Sequence, residues 1–223
     1  MNAIKETHLT RLKEHLRLDQ IVQGIGFQAG VNPRGCSIGC TFDNYDHSAY
    51  ETVLGIKDGE WLARLNDTIF EGLPAKAAPR FAVDCFEAIP DAAFGGGLDL
   101  APVKWKFLAF LMSENAACVA CLLALPEDLL EKVLAAIRGV IALYEEAIRT
   151  GALPASAAWA ARAESAAWTA WAASAASAAW AARAESAAWP AWAKNDAYVR
   201  YAAELVRLLR EAGDAGSPRQ AKA

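Results

Sequence analysis

The chain has 223 residues, of which 55% are hydrophobic, so it is long enough to bury a core. Its 22 Lys and Arg and 26 Asp and Glu give a net charge of −4, which excludes a basic field for nucleic acid or anionic lipid. The five Cys are an odd number, and residues 1–23 lack the continuous apolar core of a signal peptide. These features predict a cytoplasmic protein with free or metal-bound thiols.

Apolar residues at helical spacing predict helices along most of the first 150 residues. The first predicted helix runs from residue 3 to about 24, and a glycine-rich loop follows it to Gly35. Ser48, with Glu51 three positions later, fits a capping box. This pair predicts a short helix that ends at Gly55.

Further helices are predicted after residue 57, and Gly or Pro marks most of their ends. Their ranges are 58–71, 79–89, 102–125 (with a break near residue 113 left open), 127–150, 156–189 and 197–212. Pro190 should kink or break the helix that precedes it, and Asn195 or Asp196 should cap the last helix. No run alternates apolar and polar residues at strand length, so the predicted fold class is all-α.

The predicted organisation has three parts. Residues 1–153 form a helical globular domain, residues 154–212 hold a long repeat helix and a short terminal helix, and residues 213–223 form a polar tail.

The most regular stretch is 156–192, where Ser, Trp or Arg stands at nearly every third position between pairs of Ala. A 13-residue unit, Ser156–Trp168, recurs letter for letter as Ser177–Trp189. Ala is the strongest helix former, and no Gly or Pro interrupts residues 156–189. The sequence therefore predicts a continuous helix of about 50 Å.

Each three-residue step along this helix turns about 300°, so the Trp side chains point in several directions. Because large exposed apolar surfaces usually mark interfaces, the rings predict a surface for oligomerisation or for docking a protein partner. The residues concerned are Trp159, Trp168, Trp171, Trp180, Trp189 and Trp192.

Two other interpretations of the repeat stay open. It could be a low-complexity tail whose Trp residues lie along the domain. It could also enter a membrane, because residues 165–182 carry no charge. However, this stretch consists of Ala, Ser, Thr and Trp, and its flanking charges show no positive-inside bias.

Residues 34–51 hold the densest collection of reactive side chains. Cys36 and Cys40 are four residues apart, so one helical turn would place both sulfurs on one face. With His47, and with His8 or His15 brought near, they would make a Cys₂His₂ zinc site.

The same residues allow two other interpretations. Cys40 could act as a thiol nucleophile, with His47 as its base and Asp43 or Asp46 orienting the imidazole. Alternatively, the stretch is a hydrogen-bonded loop with small buried cysteines. Cys85 stands in an apolar context that also predicts burial.

Three sequence features together resemble a group of uncharacterised bacterial proteins. They are Gly-Cys-x-x-Gly-Cys-Thr from residue 35, Tyr-Asp-His-x-x-Tyr-Glu from residue 45, and the x-Ala-Ala repeat. These bacterial proteins have variable alanine-rich tails, and the resemblance covers most of the chain. The resemblance implies a helical N-terminal region followed by an alanine-rich repeat, and no known activity comes with it.

The sequence favours a helical interaction or assembly protein, whose Ala/Trp helix oligomerises or docks a partner. The alternative is a small metal-binding or thiol-dependent enzyme centred on Cys36, Cys40 and His47. A membrane-active repeat helix is the third hypothesis.

Overall fold

The computed structural model describes residues 2–122, 127–154 and 191–216. Within these ranges the fold is all-α, which confirms the predicted class. Two very short strands are the exception. The elements are α1 (Ala3–Arg17), β1 (Phe27–Gln28), β2 (Arg34–Gly35), α2 (Ser37–Phe42), α3 (Ala49–Thr52), α4 (Glu60–Gly72), α5 (Ala78–Ala88), a 3₁₀ turn (Asp91–Ala93), α6 (Ala101–Leu122), α7 (Glu127–Thr150) and α8 (Ala191–Gly216).

The chain divides into two compact units. Unit 1 consists of Met1–Lys104 together with Asn195–Ala223, and unit 2 consists of Trp105–Lys194. The positions 153 and 212, at which the sequence suggests divisions, are not boundaries of these units.

Helix α1 ends at Arg17, several residues before the predicted end near residue 24. Asp19 adopts a left-handed conformation with φ 54°, which stops the helix. The amide of Gln20 then donates to the carbonyl of His15, and the amide of Asp19 donates to that of Leu16. This is the Schellman pattern, with Asp in the place that Gly usually takes.

The predicted glycine-rich loop contains an antiparallel ribbon, in which Phe27 pairs with Gly35 and Gln28 with Arg34. Glycine lets this ribbon lie directly against α2. A Cβ on Gly39 would stand 2.0 Å from the carbonyl oxygen of Gly26, so no larger residue fits there.

The capping box predicted for α3 is wrong. The Ser48 hydroxyl donates to Asp46 Oδ1 at 2.7 Å instead of capping the helix, and α3 has no side-chain cap. Glu51 Oε1 accepts from the amide of Glu60 at 3.1 Å, so it connects α3 to the start of α4. Ser48 and Glu51 therefore match the capping-box pattern in sequence, but each bonds to a residue outside α3.

Helices α4 and α5 lie within two residues of their predicted bounds, and Pro79 stands in the first turn of α5. Helix α6 continues through residue 113 without a break. The core of unit 1 is apolar and aromatic, and its largest fully buried side chains include Tyr50, Phe70, Phe86, Leu12, Ile38, Leu54, Leu62, Ile69 and Ile89.

Helix α8 begins at Ala191, so the prediction that Asn195 or Asp196 caps it is wrong, because both residues lie inside the helix. From Asn195 onward the helix belongs to unit 1. Its apolar side buries Leu205, Leu208 and Leu209. A Cβ on Gly72 would stand within 2.3 Å of the Tyr198 ring, so α8 packs tightly on the end of α4.

Unit 2 holds α7 and the part of α6 after Lys104. The rings of Trp105 and Tyr144 stack there, with centroids 6.1 Å apart and an interplanar angle of 16°. None of the described helices combines the length and the apolar character that a membrane span requires.

The predicted repeat helix lies outside the described residues. The same holds for Pro190 and for Trp159, Trp168, Trp171, Trp180 and Trp189. Trp192 stands in the first turn of α8, but its side chain is also outside the described part.

Replacing Leu205 with Ala should lower the free energy of unfolding of the protein by about 2–5 kcal/mol, because the side chain is fully buried against unit 1. Urea unfolding followed by circular dichroism measures the change. Val199→Ala on the same helix is the control, since Val199 is 46% exposed. Equal losses in the two variants would show that α8 does not contribute to the core.

Candidate functional site

The three residues His8, Arg11 and His15 share one side of α1, and this side faces the end of α2. Nδ1–H of His8 donates to the carbonyl of Thr41 at 2.9 Å, and an Arg11 guanidinium N–H donates to the same carbonyl at 3.3 Å. The last carbonyls of a helix lack partners within it, and positive groups are favourable at that end. Helix α1 therefore caps the short helix α2.

Asp43 ends α2 in a left-handed conformation and is held by the same side of α1. Its carboxylate lies 3.3 Å from Arg11 Nε and 3.5 Å from Nε2 of His15. Nδ1–H of His15 donates to Gln20 Oε1 at 2.7 Å. Both ring nitrogens of His15 thus have protein partners.

Cys36 and Cys40 stand one helical turn apart, as predicted, since the Cys40 amide donates to the Cys36 carbonyl at 3.0 Å. Both thiols form hydrogen bonds with backbone groups close to them in sequence. Sγ of Cys36 accepts from the Gly39 amide and caps the start of α2. Sγ of Cys40 donates to the carbonyl of Gly35 at 3.4 Å.

Burial governs the chemistry of these thiols. It raises the pKa of Cys36 to about 12, and the negative charge of Asp67 adds to the effect. Burial likewise raises the pKa of Cys40 and of Cys85 to about 12. The thiolate is the nucleophile and the metal ligand, so all three side chains are in the unreactive form at neutral pH.

His47 is oriented by a carboxylate, but by Asp67 rather than by Asp43 or Asp46. Nε2–H of His47 donates to Asp67 Oδ2 at 3.2 Å, and the hydroxyl of Tyr45 donates to the same oxygen at 2.8 Å. The hydrogen bond to Asp67 raises the pKa of Tyr45 to about 12. This cluster joins the loop before α3 to the middle of α4.

Asp67 and its neighbour Asn66 are polar residues in the apolar pattern of α4, and this is a sequence signal for a buried polar cluster. Asn66 and Asp67 stand at core-facing positions of α4, four residues after the buried Leu62 and Ala63. Among the described residues, both polar atoms of the Asn66 side chain and Oδ1 of Asp67 are buried and lack a well-formed hydrogen bond. The buried thiols of Cys85 and Cys36 interact with Asn66 and Asp67, respectively.

The predicted zinc ligands do not converge. His8 and His15 cap and bracket the end of α2, Cys36 and Cys40 bond to its backbone surroundings, and His47 turns to Asp67. In the part of the chain that the structure describes, no group of three His, Cys, Asp or Glu side chains is placed to hold a metal ion. No hydrogen bond there joins Cys40 to His47 as a nucleophile and its base would require.

A second feature of unit 1 is an open groove of about 580 Å³ between α5 and α8. Its floor is apolar and includes Leu73, Phe81 and Ala202, and its edges carry three basic and three acidic residues. The basic ones are Arg80, Arg207 and Arg210, and the acidic ones are Asp84, Glu211 and Asp214.

No protein-family model, curated protein or solved structure matches this chain significantly. The resemblance to bacterial proteins with alanine-rich tails therefore stays a prediction.

The raised thiol pKa values predict that the protein loses stability in alkali. Above the ordinary thiol pKa of 9.0, thiols of the unfolded chain release protons before the buried Cys85 does. The unfolded state then binds fewer protons, so stability is complete below about pH 9 and falls toward about pH 12. Each such thiol adds a slope of up to about 1.4 kcal/mol per pH unit.

Urea unfolding under reducing conditions, from about pH 8 to about pH 11, measures this slope. In Cys85→Ala, the free energy of unfolding should fall less steeply with pH, by up to about 1.4 kcal/mol per pH unit, which is the contribution of one thiol. This change in slope is independent of any effect of the substitution on stability at neutral pH. A slope that is unchanged in this variant would contradict the burial of the Cys85 thiol.

Proposed function

We propose that this protein is a helical interaction or assembly protein, and that its Ala/Trp repeat is the surface through which chains associate or a protein partner docks. The observation that carries the proposal is the letter-for-letter recurrence of the unit Ser156–Trp168 as Ser177–Trp189. Each copy of this unit presents two Trp rings on an alanine background, and Trp is enriched among the residues that dominate binding energy at interfaces.

The chemistry of unit 1 supports this proposal over the enzyme alternative. The thiols are buried with raised pKa values, and the His side chains serve as caps or anchors for neighbouring backbone. A catalytic group has to reach its substrate in a suitable protonation state. The arrangement around α2 instead has the properties of a closed structural core.

The buried position of α8 limits how the proposal can be tested. Truncation before the repeat would remove α8, whose Leu205 and Leu209 are fully buried in unit 1. Loss of association in a truncated chain would then be confused with loss of folding. The repeat must therefore be changed by substitution within the complete chain.

Replacing Trp159, Trp168, Trp180 and Trp189 together with Ala removes the rings and keeps a strong helix former at each position. We expect the complete wild-type chain to associate and this variant to have the mass of a single chain, close to the 23.8 kDa of the wild-type monomer. An affinity loss of at least about 30-fold is expected, the minimum for losing one dominant interface residue. Light scattering coupled to size-exclusion chromatography, over a concentration series, measures both masses.

The matched control replaces Ser156, Ser165, Ser177 and Ser186 with Ala. It makes the same number of changes in the same repeat units and leaves every ring in place. This control should associate like the wild type. A wild-type chain that is monomeric at all concentrations, with no partner retained by its rings, would overturn the proposal.

A further inference from the structure

We infer that the groove between α5 and α8 of one chain receives an Ala/Trp repeat unit from a second copy of the chain. This inference depends on the proposed function and adds the surface on which the repeat docks. The floor of the groove, its length and the charges at its edges support this inference.

The floor suits a helix that carries small residues and a few large rings. Phe81 and Leu73 are 6% exposed, and Ala202 is 9% exposed, so the floor is apolar and consists of side chains that are largely packed into unit 1. Val199 stands at one end of the groove with 46% of its surface exposed. Small residues allow two helices to approach closely, while a Trp ring would cover the exposed side chain of Val199.

The length of the groove matches one repeat unit. The residues of α8 that line it extend from Val199 to Asp214, which is about 22 Å along a helix. The helix predicted for the 13 residues Ser156–Trp168 would be about 20 Å long. One unit would therefore fill the groove from end to end.

The charges at the edges are also complementary to the repeat. Arg80 pairs with Asp84 at 2.9 Å, and Arg207 pairs with Glu204 and Glu211. Among the described residues, Arg210 and Asp214 make no ion pair, so the groove offers one positive and one negative group. Each repeat unit carries one Arg and one Glu, Arg162 and Glu164 in the first copy. Residues two apart point to nearly opposite sides of a helix, so one of the two can face this edge at a time. Arg162 would then lie opposite Asp214, or Glu164 opposite Arg210.

Each chain has two copies of the unit and one such groove among its described residues. A groove that takes a unit from a second chain leaves further units available for more chains. Contacts between different surfaces of identical chains form rings or open chains rather than isologous pairs. The inference therefore also predicts assemblies larger than dimers as concentration rises.

The double variant V199E/A203E tests the groove. Both residues line it and are exposed, so the substitutions place two negative charges on its surface without changing the core. The matched control A3E/V31E makes the same residue changes at exposed positions of unit 1 outside the groove, where Val31 is 98% exposed. Circular dichroism and thermal unfolding should show both variants folded.

Light scattering should show association of V199E/A203E weakened at least tenfold, and association of A3E/V31E unchanged. A second measurement uses the variant that lacks four repeat Trp, whose grooves are free of rings from its own chains. A fluorescein-labelled synthetic peptide with the sequence of Ser156–Trp168 should bind this variant, and adding V199E/A203E should abolish the binding.

The two proposals fail in different ways. The groove is not the docking surface if V199E/A203E associates like the wild type, and if the peptide still binds when V199E/A203E is added to the variant that lacks four repeat Trp. The proposed function stands in that case, provided that removing the repeat Trp residues abolishes association. If the wild type is monomeric at all concentrations, the inference is overturned, and the proposed function falls with it only when the rings also retain no protein partner. If association persists without the Trp rings, both are overturned.

Discussion

Side chains from the first 23 residues cap the carboxyl ends of three short helices, and the rest of unit 1 depends on these contacts. His8 and Arg11 bind the last turn of α2, Gln23 binds that of α4, and Lys5 binds that of α5. Helices as short as the six-residue α2 are not stable alone in water, so their ends need outside partners. The first helix and the loop after it supply those partners.

Lys5 shows how strong such a contact can be. Its ammonium is buried, donates to the Ile89 carbonyl at 2.6 Å and pairs with Asp91 at 3.1 Å. Gln23 Nε2–H groups donate to the carbonyls of Phe70 and Leu73 at 2.6 and 2.9 Å. These capping contacts also close the interior. Because α1 covers the end of α2, the Cys and His residues that suggested chemistry are part of the scaffold. The groove between α5 and α8 lies elsewhere on unit 1 and is the surface that we propose for docking.

Periodic patterns in the sequence predicted the helices but not the contacts between them. Helices α4, α5 and α7 were found near their expected bounds because their apolar spacing is local information. The end of α1 was missed because Asp19, rather than Gly, takes the left-handed position. The start of α8 was missed because Asn195 and Asp196 have capping side chains yet lie inside a helix that begins earlier.

The sequence predicted which residues belong to the candidate site, but it did not predict how they are arranged or what they contact. His8, His15, Cys36, Cys40 and His47 were identified as a group, but their partners come from backbone carbonyls and from Asp67, at separations of 20 residues or more for His8 and His47. Spacing along the chain cannot reveal such pairings. It also cannot distinguish a histidine that caps a helix from one that binds a metal, because both uses place the ring near a polar cluster.

Comparing two lysines of α1 tests the role of capping most directly. Lys5→Met removes the buried cap of α5, whereas Lys13→Met removes the exposed ion pair with Glu87 at 2.8 Å. Urea unfolding should show that Lys5→Met lowers the free energy of unfolding by about 2–3 kcal/mol, and that Lys13→Met lowers it by less than about 1 kcal/mol. Equal losses in the two variants would contradict the view that capping by α1 holds unit 1 together.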